Sequence, residues 1–270
     1  MSWRHIATKD LHQSRRSAGI WLLAALSLLL YVGYAAAHTY FGTPSFGTFV
    51  SGLAGVTAMS LPVFGLLLGY KSIIHERKSG GIFLTLSGPQ SRRELVLGTV
   101  VGRVVVLLVP TVVSLVLAGV LGAIRYGTQG VLFYPWFVFV TALYGVAFVA
   151  LAVGLSMSTT IDRRITLSAL GSFVLLGPFW GNVHRFGLLF LHRFDLSVLS
   201  DIPSWALLIR LWAPTESYYR LLAVTFEIDQ AAQYVGGPLY VDWWMGLIVL
   251  LAWCSISIVL GFRRFESADL

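Results

Sequence analysis

The sequence has few charged residues and a single cysteine. Asp, Glu, Lys and Arg make up 11% of its 270 residues, whereas a typical soluble domain has about 25%. So few charges cannot cover the surface of a soluble globular protein, which excludes ordinary soluble enzymes, disordered chains and coiled coils. With Cys254 alone, the chain has no internal disulfide.

Residue patterns typical of catalysis or metal binding are also scarce. The six histidines show no HxxH or HExxH spacing, so we predict no metal site. Residues 154–158 (GLSMS) resemble the serine segment of intramembrane proteases, but no Gly follows the Ser and no later apolar stretch holds a His base. Small residues at a helix interface explain this segment better. We predict no catalytic, cofactor-binding or metal-binding residue in this chain.

The sequence contains most, but not all, of a phosphate-binding loop motif. Residues 65–72 (GLLLGYKS) match its spacing except that Tyr70 occupies the position of the Gly that precedes the Lys. The segment also ends an apolar stretch instead of following a strand. We therefore expect that this motif does not bind ATP.

Long apolar stretches take the place of charge. Six stretches without Asp, Glu, Lys or Arg make up half of the chain, and each reaches the roughly 20 residues needed to cross a bilayer. They do not alternate as barrel strands do. We predict an all-α membrane protein with six transmembrane helices. The stretches are 18–37, 47–70, 104–124, 131–161, 165–183 and 243–262.

Details of these stretches carry further expectations. The fourth is longer than a span needs, so we expect its part from Tyr134 to Ser158 in the bilayer. Pro62, Pro110 and Pro178 lie inside the second, third and fifth stretches. Each marks either a tolerated bend or a functional hinge.

The positive charges lie mainly on one side of the predicted spans. Fourteen of the 19 Lys and Arg residues flank the side that holds both termini, and such an excess marks the cytoplasmic side. We predict a multi-pass protein of the cell membrane with cytoplasmic termini. The net charge of +7 reflects this topology and contact with anionic membrane lipid, and it gives no reason to expect nucleic acid.

Two cytoplasmic segments are more than simple connections. Residues 1–17 place apolar and basic residues on opposite faces, as in an interface helix, which either anchors the first span or contacts a partner. Residues 71–94 (KSIIHERKSGGIFLTLSGPQSRRE) surround an apolar centre with charge. This pattern fits a short helix that docks into a groove of another protein. A loop resting on the membrane remains the alternative.

The second segment carries motifs that resemble the type-two ABC transporter permeases. They are Glu76-Arg77-x-x-Gly80, Leu86-Ser87-x-Pro89-x-Ser91-Arg92-x-Glu94-Leu95, Leu97-Gly98 and Gly102-Arg103. The likeness is to the branch of the nitrous oxide reductase maturation permease and its archaeal relatives. It covers all six spans, but only residues 71–103 are specific. Lys78, Gly81-Ile82 and Thr99 depart from the usual pattern.

The resemblance implies a permease subunit, and an exporter. Two such subunits, alike or different, form the translocation path, and each docks a separate ABC ATP-binding subunit that holds ATP and Mg²⁺. A cytoplasmic coupling helix between spans 2 and 3 carries the motion. The residues implied in coupling are Glu76, Arg77, Gly80, Gly81, Leu84, Leu86, Pro89 and Arg92. A stand-alone secondary carrier or channel is the alternative function.

Within that coupling element, the resemblance implies a role for each kind of residue. Glu76 and Arg77 would form charge pairs with the ATP-binding subunit, and Leu84 and Leu86 would insert into its cleft. The two adjacent glycines would supply the turn.

The external segment 182–242 is long for a connection. Within it, residues 204–212 predict one short helix, and 215–222 predict a second. These helices either pack on the spans or contact a substrate or external partner. The whole chain, 1–270, is predicted to be one permease domain.

Overall fold

The computed structural model describes residues 17–41, 45–70, 72, 91–127, 130–158, 161–200 and 202–266. Within these residues the chain is all-helical and has no strand, which confirms the predicted fold class. The α-helices are α1 (Ala18–Phe41), α2 (Phe46–Gly69), α3 (Arg92–Tyr126), α4 (Tyr134–Ser158), α5 (Asp162–Leu176), α6 (Trp180–Leu191), α7 (Ser204–Leu211), α8 (Pro214–Leu222) and α9 (Trp243–Glu266). Short 3₁₀ helices occupy Val131–Phe133, Leu196–Leu199, Asp229–Tyr234 and Leu239–Val241.

Five of these helices are long and apolar enough to cross a membrane, namely α1, α2, α3, α4 and α9. The helices α5 and α6 form a pair bent by 72°, which raises the number of spans to six if the pair counts as one. The bounds of α4, Tyr134–Ser158, agree with the expected bilayer part of the fourth stretch. The chain is therefore a multi-pass membrane protein.

The fifth apolar stretch is a broken helix instead of a straight span. Helix α5 has 15 residues, so it is only about 22 Å long, against the roughly 30 Å of a hydrocarbon core. Pro178, just after α5, has no N–H to donate to the Val174 carbonyl, so the helix cannot continue regularly through it. At the end of α5 the Leu176 carbonyl accepts a hydrogen bond from the Thr215 hydroxyl at 3.0 Å. Pro62 and Pro110 lie inside continuous helices.

Helix α4 is the central helix of the bundle. It packs against α2, α3, α8 and α9. In its most apolar 18-residue segment, 67% of the residues are buried. Helix α1 packs mainly along α3, and only 22% of the residues in its most apolar 18-residue segment are buried. The core therefore lies around α4, and α1 lies at the periphery of the chain.

Helix α3 begins well before its apolar stretch. Ser91 and Glu94 form a capping box, in which the Ser91 hydroxyl accepts from the Glu94 N–H at 3.2 Å and the Glu94 carboxylate accepts from the Ser91 N–H at 3.0 Å. These contacts satisfy N–H groups that a helix start leaves without partners. The helix is 35 residues long and begins about 18 Å before the charge-free stretch.

Candidate functional site

Most of the residues implied in coupling lie outside the described residues. These are Glu76, Arg77, Gly80, Gly81, Leu84, Leu86 and Pro89. The predicted interface helix, 1–17, lies outside them except for Ser17. Arg92 is the one residue of the implied set that the structure places, and its roles in the partner interface stay a prediction.

Arg92 joins the start of α3 to the end of α9. Its Nη1 donates to the carbonyl oxygens of Phe265 at 3.1 Å and Glu266 at 3.0 Å, and its guanidinium lies 5.5 Å from the centre of the Phe265 ring. Arg93 lies 5.9 Å from the ring of Phe262 on the same helix. A cation at the carboxyl end of a helix also interacts favourably with the helix dipole. Arg92 therefore fastens the first turn of α3 to the last turn of α9.

Helix α8 is inserted among the long helices. All of its residues except Arg220 are buried. The Tyr218 hydroxyl lies 2.6 Å from the Thr57 hydroxyl of α2 and 3.2 Å from the Thr141 hydroxyl of α4. Thr57 is about 16 Å from the start of α2, roughly halfway through a hydrocarbon core. The predicted pair of short helices is present, and the second of them, α8, contacts α2 about halfway along its length.

A second set of hydroxyl contacts links α8 to the broken helix. The Tyr144 hydroxyl of α4 lies 2.8 Å from that of Thr215 and donates to the Ala58 carbonyl at 3.1 Å. Thr215 in turn donates to Leu176, the last residue of α5. Helices α2, α4, α5 and α8 are thus joined by hydrogen bonds in an apolar setting, where an unpaired polar group is costly.

Beside these hydroxyls lies a buried ion pair. Arg210 Nε is 3.0 Å from Glu216 Oε2, and the two side chains are 4% and 6% exposed. The Arg210 N–H is not aligned for a hydrogen bond, so this contact acts as a charge pair. Glu216 also accepts from the Tyr234 hydroxyl at 3.1 Å and from Gln233 at 3.3 Å. Burial raises the pKa of the Glu216 carboxyl, whereas Arg210 favours its charged form.

The two short helices are fastened to their neighbours at several points. Trp180 of α6 donates its indole N–H to the Arg210 carbonyl at 3.0 Å. Arg220, at the end of α8, pairs with Asp242 at 2.6 Å and donates to the Val241 carbonyl at 3.1 Å. Asp242 also accepts from the Trp243 N–H at the start of α9. Helices α6 to α9 are therefore connected on the side where α9 begins.

Small residues form the seam between α4 and α9. A side chain on Gly154 of α4 would meet the backbone carbonyl of Ser257, and a Cβ on Gly261 would lie 2.6 Å from the Gly154 carbonyl oxygen. Small residues allow two membrane helices to approach this closely. The serine segment 154–158 is therefore part of a packing interface, as its sequence favours.

The described residues offer no metal site, since no three His, Cys, Asp or Glu side chains among them converge. Cys254 is half-buried on α9. The ionisable groups that the fold brings together, Arg210 with Glu216 and Arg220 with Asp242, fasten helices to one another. The arrangement is that of a helical membrane scaffold.

Comparison with known proteins agrees with this arrangement. The model of a family described as "ABC-2 family transporter protein" matches residues 4–270. A protein of Stutzerimonas stutzeri named "Probable ABC transporter permease protein NosY" is 28% identical over 276 residues, which covers 97% of each chain. A protein of the same name from Pseudomonas aeruginosa is 30% identical over 182 residues, covering 63% of this chain and 66% of its own length.

Proposed function

Because this chain belongs to the ABC-2 family of transporter proteins, as a permease subunit of an ABC transporter, we propose that it works as half of an ATP-driven exporter. Two permease subunits, identical or different, would form the translocation path between them. Each would dock one ABC ATP-binding subunit. Because the chain belongs to a family of membrane transporters, the proposal assigns it no enzymatic activity of its own.

ATP and Mg²⁺ would be held by the partner subunit. The chain has an incomplete phosphate-binding loop, with Tyr70 in the position of the required Gly. An ATP-binding partner would supply the complete loop and the hydrolysis. The permease would contribute the path and the surface that receives the motion.

The segment between α2 and α3 is the proposed receiving surface. Glu76 and Arg77 would pair with charges of the ATP-binding subunit, and Leu84 and Leu86 would enter its cleft. Gly80, Gly81 and Pro89 would shape the turn, and Arg92 would join the segment to the bundle.

The observation that best supports this proposal is the joint at Arg92. This side chain binds the end of α9 while its backbone starts the 35-residue α3. A long helix that is fixed at its first turn transmits a displacement along its length. A segment docked on the ATP-binding subunit just before Ser91 is in the right place to move both helices.

The orientation belongs to the same proposal. The basic residues around the starts of α1 and α3 and the end of α9 favour a cytoplasmic position for this end of the bundle. Both termini would then lie in the cytoplasm, and helices α7 and α8 would enter the bundle from the outside of the cell membrane.

Gentle purification of the tagged chain from native membranes tests the proposal. We expect a stoichiometric P-loop ATPase to purify with it. Glu76→Lys should weaken this association and uncouple ATP hydrolysis from transport without loss of membrane insertion. Glu227→Lys is the matched control, because Glu227 is an exposed acid in the external segment. Homogeneous protein without any ATPase would contradict the proposal and favour a stand-alone carrier or channel.

A further inference from the structure

Three phenylalanine rings lie on the surface of the molecule at α6 and the turn that follows it. Phe186, Phe190 and Phe194 are 64%, 71% and 57% exposed. They form one cluster, because the centre of the Phe194 ring is 6.2 Å from that of Phe186 and 6.4 Å from that of Phe190. The neighbouring Leu191 and Leu196 are exposed as well. A contiguous apolar patch of this kind marks a contact with the membrane or with another molecule.

The backbone after α6 places the third ring beside the other two. Arg193 and Phe194 have φ angles of 53° and 65°, and residues other than glycine rarely adopt this left-handed conformation. The Phe194 N–H donates to the Leu189 carbonyl at 2.6 Å. The chain therefore folds back on α6, and the Phe194 ring joins the exposed rings of the helix instead of the core.

Helix α6 has three different sides. His184 and Leu188, four residues apart, are buried against the rest of the protein, and His184 Nε2 donates to the Ala206 carbonyl at 2.9 Å. Phe190 lies on the exposed apolar side. Arg185 is also exposed and, at 100° per residue, lies about 140° around the helix from Phe190. Protein on one side, apolar rings on the second and charge on the third fit the boundary between lipid and water.

The bend between α5 and α6 supports the same location. The two helices have 15 and 12 residues, so they are about 22 Å and 18 Å long, and they are bent by 72°. With α5 along the membrane normal, α6 adds only about 6 Å in that direction, so the pair covers about 28 Å of the roughly 30 Å hydrocarbon core. Helix α6 then runs nearly parallel to the membrane plane at one surface of the bilayer.

The short connection between these helices keeps α6 next to the bilayer. Only Gly177, Pro178 and Phe179 separate it from α5, which belongs to the fifth apolar stretch. The exposed rings of α6 are therefore continuous with the lipid-facing surface of the spans. This continuity favours phospholipid over a second protein as the occupant of the apolar side.

From these observations we infer that α6 and the turn at Phe194 form an interfacial membrane anchor. The helix lies in the plane of the bilayer surface, and its three rings insert about 5–10 Å into the boundary between phospholipid head groups and acyl chains. The anchor also sets the level of α7, to which α6 is joined by the bond from the Trp180 indole to the Arg210 carbonyl. The choice of the outer leaflet rests on the orientation given under the proposed function, but the interfacial position does not.

Spin labelling of the full-length chain in phospholipid vesicles, with any subunits that purify with it, tests this inference. A nitroxide is attached to Gly187→Cys in a Cys254→Ala background. Gly187 lies about 60° around the helix from Phe190, and an added Cβ there would meet no neighbouring atom within 4 Å. We expect the label to collide more often with oxygen, which concentrates in lipid, than with a water-soluble nickel complex.

Arg185→Cys is the matched control. Arg185 is exposed on the same helix, but it lies about 160° around it from Gly187, so the nickel complex should reach a label there. The ratio of oxygen to nickel accessibility should be severalfold higher at Gly187→Cys than at Arg185→Cys. Phe190→Cys supplies a second label on the apolar side and should behave as Gly187→Cys does.

The remaining outcomes would overturn the inference. A label at Gly187→Cys that the nickel complex reaches as readily as the control would show that this side of α6 lies in water. Protection from both reagents would show that a protein surface covers it, and magnetic broadening between labels would identify that surface as a second copy of the chain. None of these results depends on whether an ATPase purifies with the chain, so they are distinct from a failure of the proposed function.

Discussion

The centre of the bundle around α4 and α8 differs from the periphery at α1 in a way that composition does not suggest. The centre contains the buried ion pair Arg210–Glu216 and linked hydroxyls, and 67% of the residues in the most apolar 18-residue segment of α4 are buried. Helix α1 is almost wholly apolar, yet only 22% of the residues in its corresponding segment are buried. In a bilayer, apolar side chains gain little from leaving lipid, so polar groups and close packing hold the helices together.

The apolar face of α1 is therefore available to other molecules. Trp21, Leu22 and Leu29 of α1 are each more than 60% exposed. Lipid or a second permease subunit can cover such a face without disturbing the packed centre. Changes at the centre should affect stability strongly, and matched changes at the periphery should affect it little.

The largest expected effect comes from breaking the buried ion pair. Arg210→Leu leaves the Glu216 carboxyl buried without its cation, which should lower the free energy of unfolding by about 3–5 kcal/mol. This corresponds to a fall of roughly 10 °C in the thermal midpoint in detergent. Arg125→Leu, at an exposed position of α3, should leave the midpoint within about 2 °C of the original.

The double variant Arg210→Leu, Glu216→Leu sharpens this result. Replacing both members of a buried ion pair by apolar residues is often nearly neutral. The double variant should therefore be more stable than Arg210→Leu alone. Additive losses in the double variant would mean that the charge pair does not account for the effect of Arg210.

A smaller effect is expected at the seam between α4 and α9. In Gly154→Leu the new side chain meets the backbone of Ser257, so the helices must separate. We expect a loss of about 1–3 kcal/mol, measured as a lower thermal midpoint. Gly33→Leu on α1, with open space around the Cβ, is the control. An equally large fall in the thermal midpoint of both variants would contradict the distinction between centre and periphery.

The smallest effect is that of a single hydroxyl. Tyr218→Phe removes contacts to Thr57 and Thr141, which should lower the free energy of unfolding by about 1 kcal/mol. Tyr40→Phe, at a side chain that is 84% exposed, should change nothing measurable. A Tyr218→Phe protein as stable as the original would show that the hydroxyl contacts do not hold α8 in place.

The long helices were predictable because the bilayer imposes a simple requirement on them. A stretch of about 20 residues without charge is readable from the sequence alone, and the bounds of α4 agree with those expected. The early start of α3 was also signalled, since Ser91 and Glu94 have the spacing of a capping box. The family resemblance was carried by the same region and agrees with the family match.

The buried polar contacts were not predictable for a physical reason. Arg210, Thr215 and Glu216 read as surface residues of an external segment, and only tertiary packing brings them together. The break after α5 had a signal in Gly177-Pro178, but a proline in a membrane helix is often tolerated, as Pro62 and Pro110 are here. At this break the Thr215 hydroxyl, from a distant part of the sequence, provides a donor for the Leu176 carbonyl.

Photocrosslinking in native membranes tests the coupling account most directly. A photoreactive amino acid at Leu84, in the proposed coupling segment, should capture a P-loop ATPase. The same amino acid at Leu132, which is 90% exposed next to the start of α4, should capture none. Capture from Leu84 alone would support both the docking surface and the orientation of the chain. No ATPase from Leu84, or capture from Leu132, would contradict the account.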